Sequence, residues 1–379
     1  MEFATWAYPW DLRDEGVESV SSRLLEIGVD EVNLATNYHA VQAFSPHDVG
    51  RKTHFAHASS YFRPDDRYGD LRPTPYEGMD KDWVESIAAA AEDLRLTSWT
   101  VGCHNSRLGM ANPNSTLESP YGDDLVFGLC PSNPAVRRYL TSLVGDLASR
   151  AWFDRIELET FDYFHGTGFG WHHQKIHADL GTLGEFLFGL CFCDHCREHA
   201  AAQGVDVGAA REAAVEALDA IVAGDLSGDA VPEEWVERRP PVAAYVAARQ
   251  DRLVDLYADL AAAADGTPLG YYVGTPEPGR EWMAGGKPGR LPAHLDYVCL
   301  PAYESSRDAV LRAYRAVERL DPDVPVHVGL LPGHPKIDDP ETLSRIVDGL
   351  REAGVPRVSF YNYGLLPDRS LDWIDAAIP

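Results

Sequence analysis

Short apolar, β-branched or aromatic runs recur eight times along this chain, and most are followed by a stretch with apolar residues at i, i+3 and i+4. The runs are Phe3–Tyr8, Glu31–Thr36, Ser98–Cys103, Arg155–Thr160, Leu269–Val273, Asp296–Leu300, Val326–Leu330 and Arg357–Tyr361. Helical spacing covers Val17–Ile27, Trp83–Leu94, Ala135–Ala148, Tyr245–Ala263, Asp308–Leu320 and Glu341–Ala353. A chain alternating in this way satisfies its strands in a parallel sheet covered by helices. Eight such units closing on themselves predict an α/β fold, a (β/α)8 TIM barrel.

The expected barrel accounts for residues 1–379 as one domain with three enlarged loops. These follow strand 2 (Asn37–Asp82), strand 3 (His104–Cys130) and strand 4 (Phe161–Pro240). All three leave the C-terminal ends of strands, where barrels of this class build their sites. Within the fourth loop, Gly224–Pro241 reads as a surface excursion. The stretch Thr275–His294, rich in Gly and Pro, gives only a weak helical signal.

The net charge of −26 and a pI near 4.8 oppose nucleic acid and anionic membrane surfaces through long-range repulsion. Lysine occurs only at 52, 81, 175, 287 and 336. An acidic, lysine-poor surface on a chain that is 45% hydrophobic predicts a halophilic protein whose self-repulsion is screened by salt. The N-terminus lacks a basic segment followed by an apolar run, and no stretch approaches the roughly 18 apolar residues of a membrane span. A soluble, cytoplasmic protein is expected, and homo-oligomer formation is compatible with the sequence.

Six cysteines do not make a disulfide scaffold in a chain of 379 residues. Four of them are arranged as Cys130, in Leu-Cys-Pro-Ser-Asn-Pro, and the run Cys191-Phe-Cys193-Asp-His-Cys196. Such a spacing supplies four soft ligands and predicts a closed, structural zinc site stapling the fourth loop, about residues 161–240, to the segment before helix 3. His195, His199 and Cys103 are alternative ligands. A shell of four thiolates leaves no open position for catalysis.

These two segments resemble those of the glycoside hydrolase family 42 β-galactosidases, barrel enzymes in which a similar pair binds structural zinc. The matching stretch covers about residues 128 to 200, with both pieces in the same order around strand 4. The resemblance implies a carbohydrate substrate.

In Arg-Ile-Glu-Leu-Glu-Thr, alternation places Glu157 and Glu159 on one face and Ile156 and Leu158 on the other. The apolar pair suits the helix side, so both glutamates are expected inside the barrel, Glu159 nearer the mouth. The resemblance implies that Glu159 is the general acid/base. The family's second glutamate, at the end of strand 7, has no counterpart in Val-His-Val-Gly-Leu-Leu-Pro-Gly-His. Glu304 is the candidate replacement, with Asp162 as an alternative. Glu304 also suits an acidic residue near the start of a helix.

Polar residues gather at predicted strand ends: His39, His104, Asn105, Tyr303 and Asn362, with Trp171 in the fourth loop, as candidate substrate-binding groups. Two further readings compete with hydrolysis. His39, His104, Glu159 and Glu304 converging on a divalent metal would suit a sugar isomerase or lyase, and a barrel without a nucleophile would bind carbohydrate without turnover.

Overall fold

Eight parallel strands close into a barrel in the computed structural model, which describes residues 1–48, 50–163, 175–273, 277–321 and 323–378. The barrel strands are β1 (Glu2–Ala7), β2 (Glu31–Tyr38), β3 (Arg95–Val101), β4 (Arg155–Glu159), β5 (Leu269–Tyr272), β6 (Tyr297–Pro301), β7 (Val326–Leu330) and β8 (Arg357–Phe360). Each pairs in parallel with its sequence neighbours. Closure is made by β1 against β8, with Glu2 opposite Arg357 and Thr5 opposite Phe360. Every expected strand is present. The expected third strand, Ser98–Cys103, instead begins at Arg95.

Helices cover the outer face. Trp83–Ala90, Pro134–Ser149, Arg307–Glu318 and Pro340–Glu352 start at Asp82, Asn133, Ser306 and Asp339, whose side chains accept from backbone N–H groups of the first turn. Between β5 and β6 the described residues form only short 3-10 turns, Glu281–Ala284 and Pro292–His294, in line with the weak helical signal there.

The enlarged loops carry more structure than their sequences suggest. The second contains the hairpin Val41–Phe44 with Thr53–Ala56, and the third the hairpin Thr116–Glu118 with Asp124–Leu129. The fourth holds helices Gly181–Phe188, Asp194–Ala202, Val207–Ala223 and Pro232–Glu237. The expected excursion at 224–241 is therefore partly helical and buries Trp235 and Val236. Val207–Ala223 packs on Pro240–Ala263, the helix that returns to the barrel. No helix among the described residues is long and apolar enough to cross a membrane.

The lower half of the barrel interior is ionic. Arg357, with 0% exposure, reaches Glu31 at 3.0 Å and Glu157 at 3.6 Å, and donates to Asn33. Glu31 also accepts from Arg155 at 2.8 Å and from Thr97. Removing one member of such a set leaves the others charged and buried, at a cost of about 3–5 kcal/mol. Arg357→Met should lower urea-unfolding stability by that order. Arg238→Ala, which breaks an exposed i,i+4 pair with Glu234, should change it by less than about 1 kcal/mol.

Candidate active site

Two residues above Glu157, the interior changes from ionic to aromatic. Glu159 ends β4 and accepts a 2.5 Å hydrogen bond from the indole Nε1 of Trp99 on β3. Burial pushes its carboxyl up to about 7, with the Trp99 bond opposing and the fields of Asp162 and Glu157 adding. Trp99 meets Tyr38, Tyr361 and Trp6 with ring centroids 4.5, 5.9 and 6.4 Å away. Tyr8 lies 5.6 Å from Trp99, and Tyr303 lies 5.4 Å from Tyr361. The result is a ring of aromatic faces around one carboxyl at the C-terminal mouth. The next residue, Thr160, has φ 52. A β-branched residue is rarely found there, and the turn marks local strain directly beside Glu159.

Glu157 has a different environment. Its carboxylate accepts from Tyr272 at 2.6 Å and from Asn33 at 3.1 Å, with Arg357 beneath it. Tyr272 in turn accepts from the Nε1 of Trp6 at 2.5 Å. Burial pushes the Glu157 carboxyl up while Arg357 and Tyr272 pull it down. It is thus a fixed member of the floor. On β7 no inward acid appears: a Cβ at Gly329 would lie 2.7 Å from the Trp6 ring, which occupies that space.

The sequence-derived candidates separate into groups. His39 and His104 stack with centroids 4.4 Å apart, and burial lowers both imidazoles so that they stay neutral near pH 7. Tyr303 belongs to the aromatic rim. Asn105 accepts from Leu108 N as the cap of helix Ser106–Ala111, and Asn362 accepts from Gly364 N, so both hold loops in shape. Glu304 is exposed on the turn before Arg307–Glu318. Trp171 lies outside the described residues. Asp162 accepts from Tyr271 OH at 2.5 Å, and burial raises its carboxyl to about 7. Tyr272 faces inward, so its neighbour Tyr271 faces the helices, where Tyr257 meets it edge-on at 5.3 Å. Asp162 is thus bonded to the helix-facing tyrosine, while its charge still acts on Glu159.

Trp99, Tyr361 and Asp11 were not among the expected site residues. Strand alternation was the available signal for Trp99, the register partner of Glu157. Asp11 follows β1 and is buried. It accepts from Tyr8 N at 2.8 Å, its Oδ1 has no hydrogen-bond partner among the described residues, and burial raises its carboxyl to about 8. Gly364 packs directly on it, since a Cβ there would stand 2.1 Å from Asp11 Cγ.

The four cysteines converge. Cys130 Sγ lies 3.5 Å from Cys193 and Cys196 and 3.8 Å from Cys191, and all four are buried. A tetrahedron with metal–sulfur bonds of about 2.3 Å has edges of roughly 3.8 Å. Glu118 N–H points at Cys191 Sγ from 3.4 Å, a contact that supports a thiolate ligand. The donor set and spacing fit a tetrahedral metal. Two other groups of potential ligands occur among the described residues, Glu157–Cys299–His327 and Asp14–Asp48–His54. The first faces Arg357, whose charge opposes a cation. His39, His104, Glu159 and Glu304 form no such group.

Two consequences of the Glu159 environment are measurable. Trp99→Phe removes the one bond that favours the carboxylate among the described residues, so the Glu159 carboxyl resonance should titrate at higher pH than in the wild type. Raised carboxyls bind their protons more tightly folded than unfolded. Their contribution to stability is therefore full below the ordinary carboxylate range and lost as pH rises through about 7. Unfolding midpoints in high salt should fall from pH 5 to 8, and Glu159→Gln should flatten that slope.

No known family model matches the chain, and no curated protein matches it. Solved structures do match in fold. The glycoside hydrolase domain of PgaB (BpsB) from Bordetella bronchiseptica aligns with TM-score 0.61 at 14% identity, over 100% of this chain and 99% of that one. The polyextremophilic β-galactosidase of the Antarctic haloarchaeon Halorubrum lacusprofundi aligns with TM-score 0.59 at 14% identity, over 100% of this chain and 57% of that one. The β-galactosidase of the psychrophilic Marinomonas ef1 gives 0.58 at 10% identity, over 99% and 58%. At these identities the likeness establishes the barrel architecture.

Proposed function

We propose that this barrel is a carbohydrate-active hydrolase, related to the family 42 β-galactosidases, in which Glu159 is the general acid/base. One observation carries the proposal. A carboxyl raised to about 7 stands at the C-terminal mouth, held by the indole N–H of Trp99 and ringed by aromatic faces. A carboxyl titrating near neutral pH can both donate and recover a proton, which cleavage of a glycosidic bond requires. Aromatic faces stack on the apolar faces of sugar rings. The substrate class is drawn from the fold neighbours, described as a glycoside hydrolase domain and β-galactosidases.

In this reading Glu159 enters protonated, gives its proton to the leaving oxygen, and then accepts one from water. Tyr303, His39 and His104 line the sugar site. Asn105 and Asn362 keep the rim in shape. Glu304 supplies the second carboxyl. Cys130, Cys191, Cys193 and Cys196 hold structural zinc, whose role is to close a shell that joins residues 118–130 to the insertion at about 161–240 within one barrel domain. The acidic surface suits a cytoplasm rich in salt.

Glu159→Gln should reduce turnover of an aryl glycoside by at least about 100-fold while leaving melting temperature at pH 5 and zinc content unchanged. Retained turnover would remove Glu159 from the mechanism. Glu304→Gln indistinguishable from wild type would remove Glu304 from its role, and sugar binding by calorimetry in a chain with no turnover would favour a carbohydrate-binding barrel. For the metal, elemental analysis of purified protein should give one zinc per chain. Cys193→Ala should lose it and melt at lower temperature.

A further inference from the structure

The cysteine cluster has an unusual neighbour on the helix Pro240–Ala263. Arg249 is 3% exposed, and none of Nε, Nη1 and Nη2 has a hydrogen-bond partner among the described residues. Its guanidinium lies over the ring of Tyr163, 4.3 Å from the centroid. A ring face is a weak partner for a guanidinium withdrawn from water, so the charge calls for an anion nearby.

Two connections lead from Arg249 to the cysteines. Tyr163, on whose ring it rests, exchanges a 2.6 Å hydrogen bond with Ser132, two residues past Cys130. One helical turn before Arg249, Tyr245 donates to the carbonyl of Cys191 at 2.6 Å and stacks on Phe192 at 4.5 Å. Arg249 thus projects from the same helix face that grips the Cys191 segment, and rests on the residue that grips the Cys130 segment. A second cation, Arg252, lies one turn on, its Nη2 3.4 Å from the Ser132 carbonyl. No carboxylate among the described residues lies within 4 Å of Arg249; the acid that feels its charge is the buried Asp162, which accepts from Tyr271 and whose carboxyl Arg249 pulls down against burial.

A divalent ion held by four thiolates carries a net double negative charge, whereas four thiols carry none. We propose that Arg249 is the charge partner of the metal-loaded cluster, a positioning residue that raises metal affinity and locks the loaded insertion against helix Pro240–Ala263. This rests on reading the four cysteines as a metal site. It explains why a guanidinium is buried without a hydrogen-bonding partner, and why arginine suits the position: it stays charged and is weakly hydrated.

The test compares wild type with Arg249→Met and Arg249→Lys, using zinc alone, by competition against a chromophoric chelator and by melting before and after chelation. Wild type should bind one zinc. Arg249→Met should bind about 10- to 100-fold more weakly, and Arg249→Lys, which keeps the charge, between the two. Loaded Arg249→Met should melt below loaded wild type. After chelation this deficit should shrink, because four thiols carry no charge and only Asp162 is then left to offset the guanidinium. Equal affinities and a melting deficit unchanged by chelation would overturn the proposal while leaving the metal site intact. A wild type that takes up no zinc would instead overturn the metal site, and this inference with it. Should Arg249→Met fail to fold, the Nε–H resonance of Arg249 in the wild type should shift when zinc is stripped, and a fixed resonance would overturn the proposal.

Discussion

Arg357 sits where the closing strand meets the barrel interior, and its guanidinium is shared by Glu31, Glu157 and Asn33. Closing eight strands creates a space too small for bulk water, so every inward side chain must be apolar or find a partner there. In this chain the lower positions are filled with charge. Arg155 and Thr97 complete the shell of Glu31, while Tyr272 and Asn33 complete that of Glu157. The network fixes the floor on which the aromatic ring stands, since Tyr272 reaches from Glu157 to Trp6.

The contrast between Glu157 and Glu159 follows from that floor. They share a strand and a face and differ by one layer. The lower carboxylate has a cation and two donors, so burial and pairing oppose each other. The upper one has an indole N–H and aromatic rings, so burial prevails. Coulomb attraction to a cation in a dry interior is strong enough to decide the ionisation of a nearby acid. Both carboxyls are raised by burial, but only the lower one has the Arg357 cation to oppose that rise.

The strand pattern was legible because a strand buried on both faces is written in residues unlike those of a helix, and all eight positions emerged from it. Inward placement of Glu157 and Glu159 was legible for the same reason, from alternation alone. The cysteine spacing announced a cluster before any geometry was known. What stayed hidden depended on contacts distant in sequence. Trp99 becomes a partner of Glu159 only through the β3–β4 register. The bond of Asp162 to Tyr271, and through it to the helix-facing side of β5, is likewise invisible from sequence position alone. The helices of the fourth insertion were obscured by alanine-rich sequence in which periodicity is faint, as in Val207–Ala223. Asn105 and Asn362 illustrate another limit: polarity at a strand end serves loop capping as readily as ligand binding.

The β1–β8 seam also bears on how the molecule is made. Thr5 and its register partner Phe360 are separated by almost the whole chain. A ribosome adding 5–20 residues per second needs roughly 20 to 70 s to travel between them. Throughout that interval β1 can pair with β2 on one side while its other edge stays open, a template for any extended strand nearby. The same delay applies to charge: Glu31 and Glu157 emerge long before Arg357. The nascent barrel must therefore keep its future floor hydrated, and the interior can dry only when the last strand arrives.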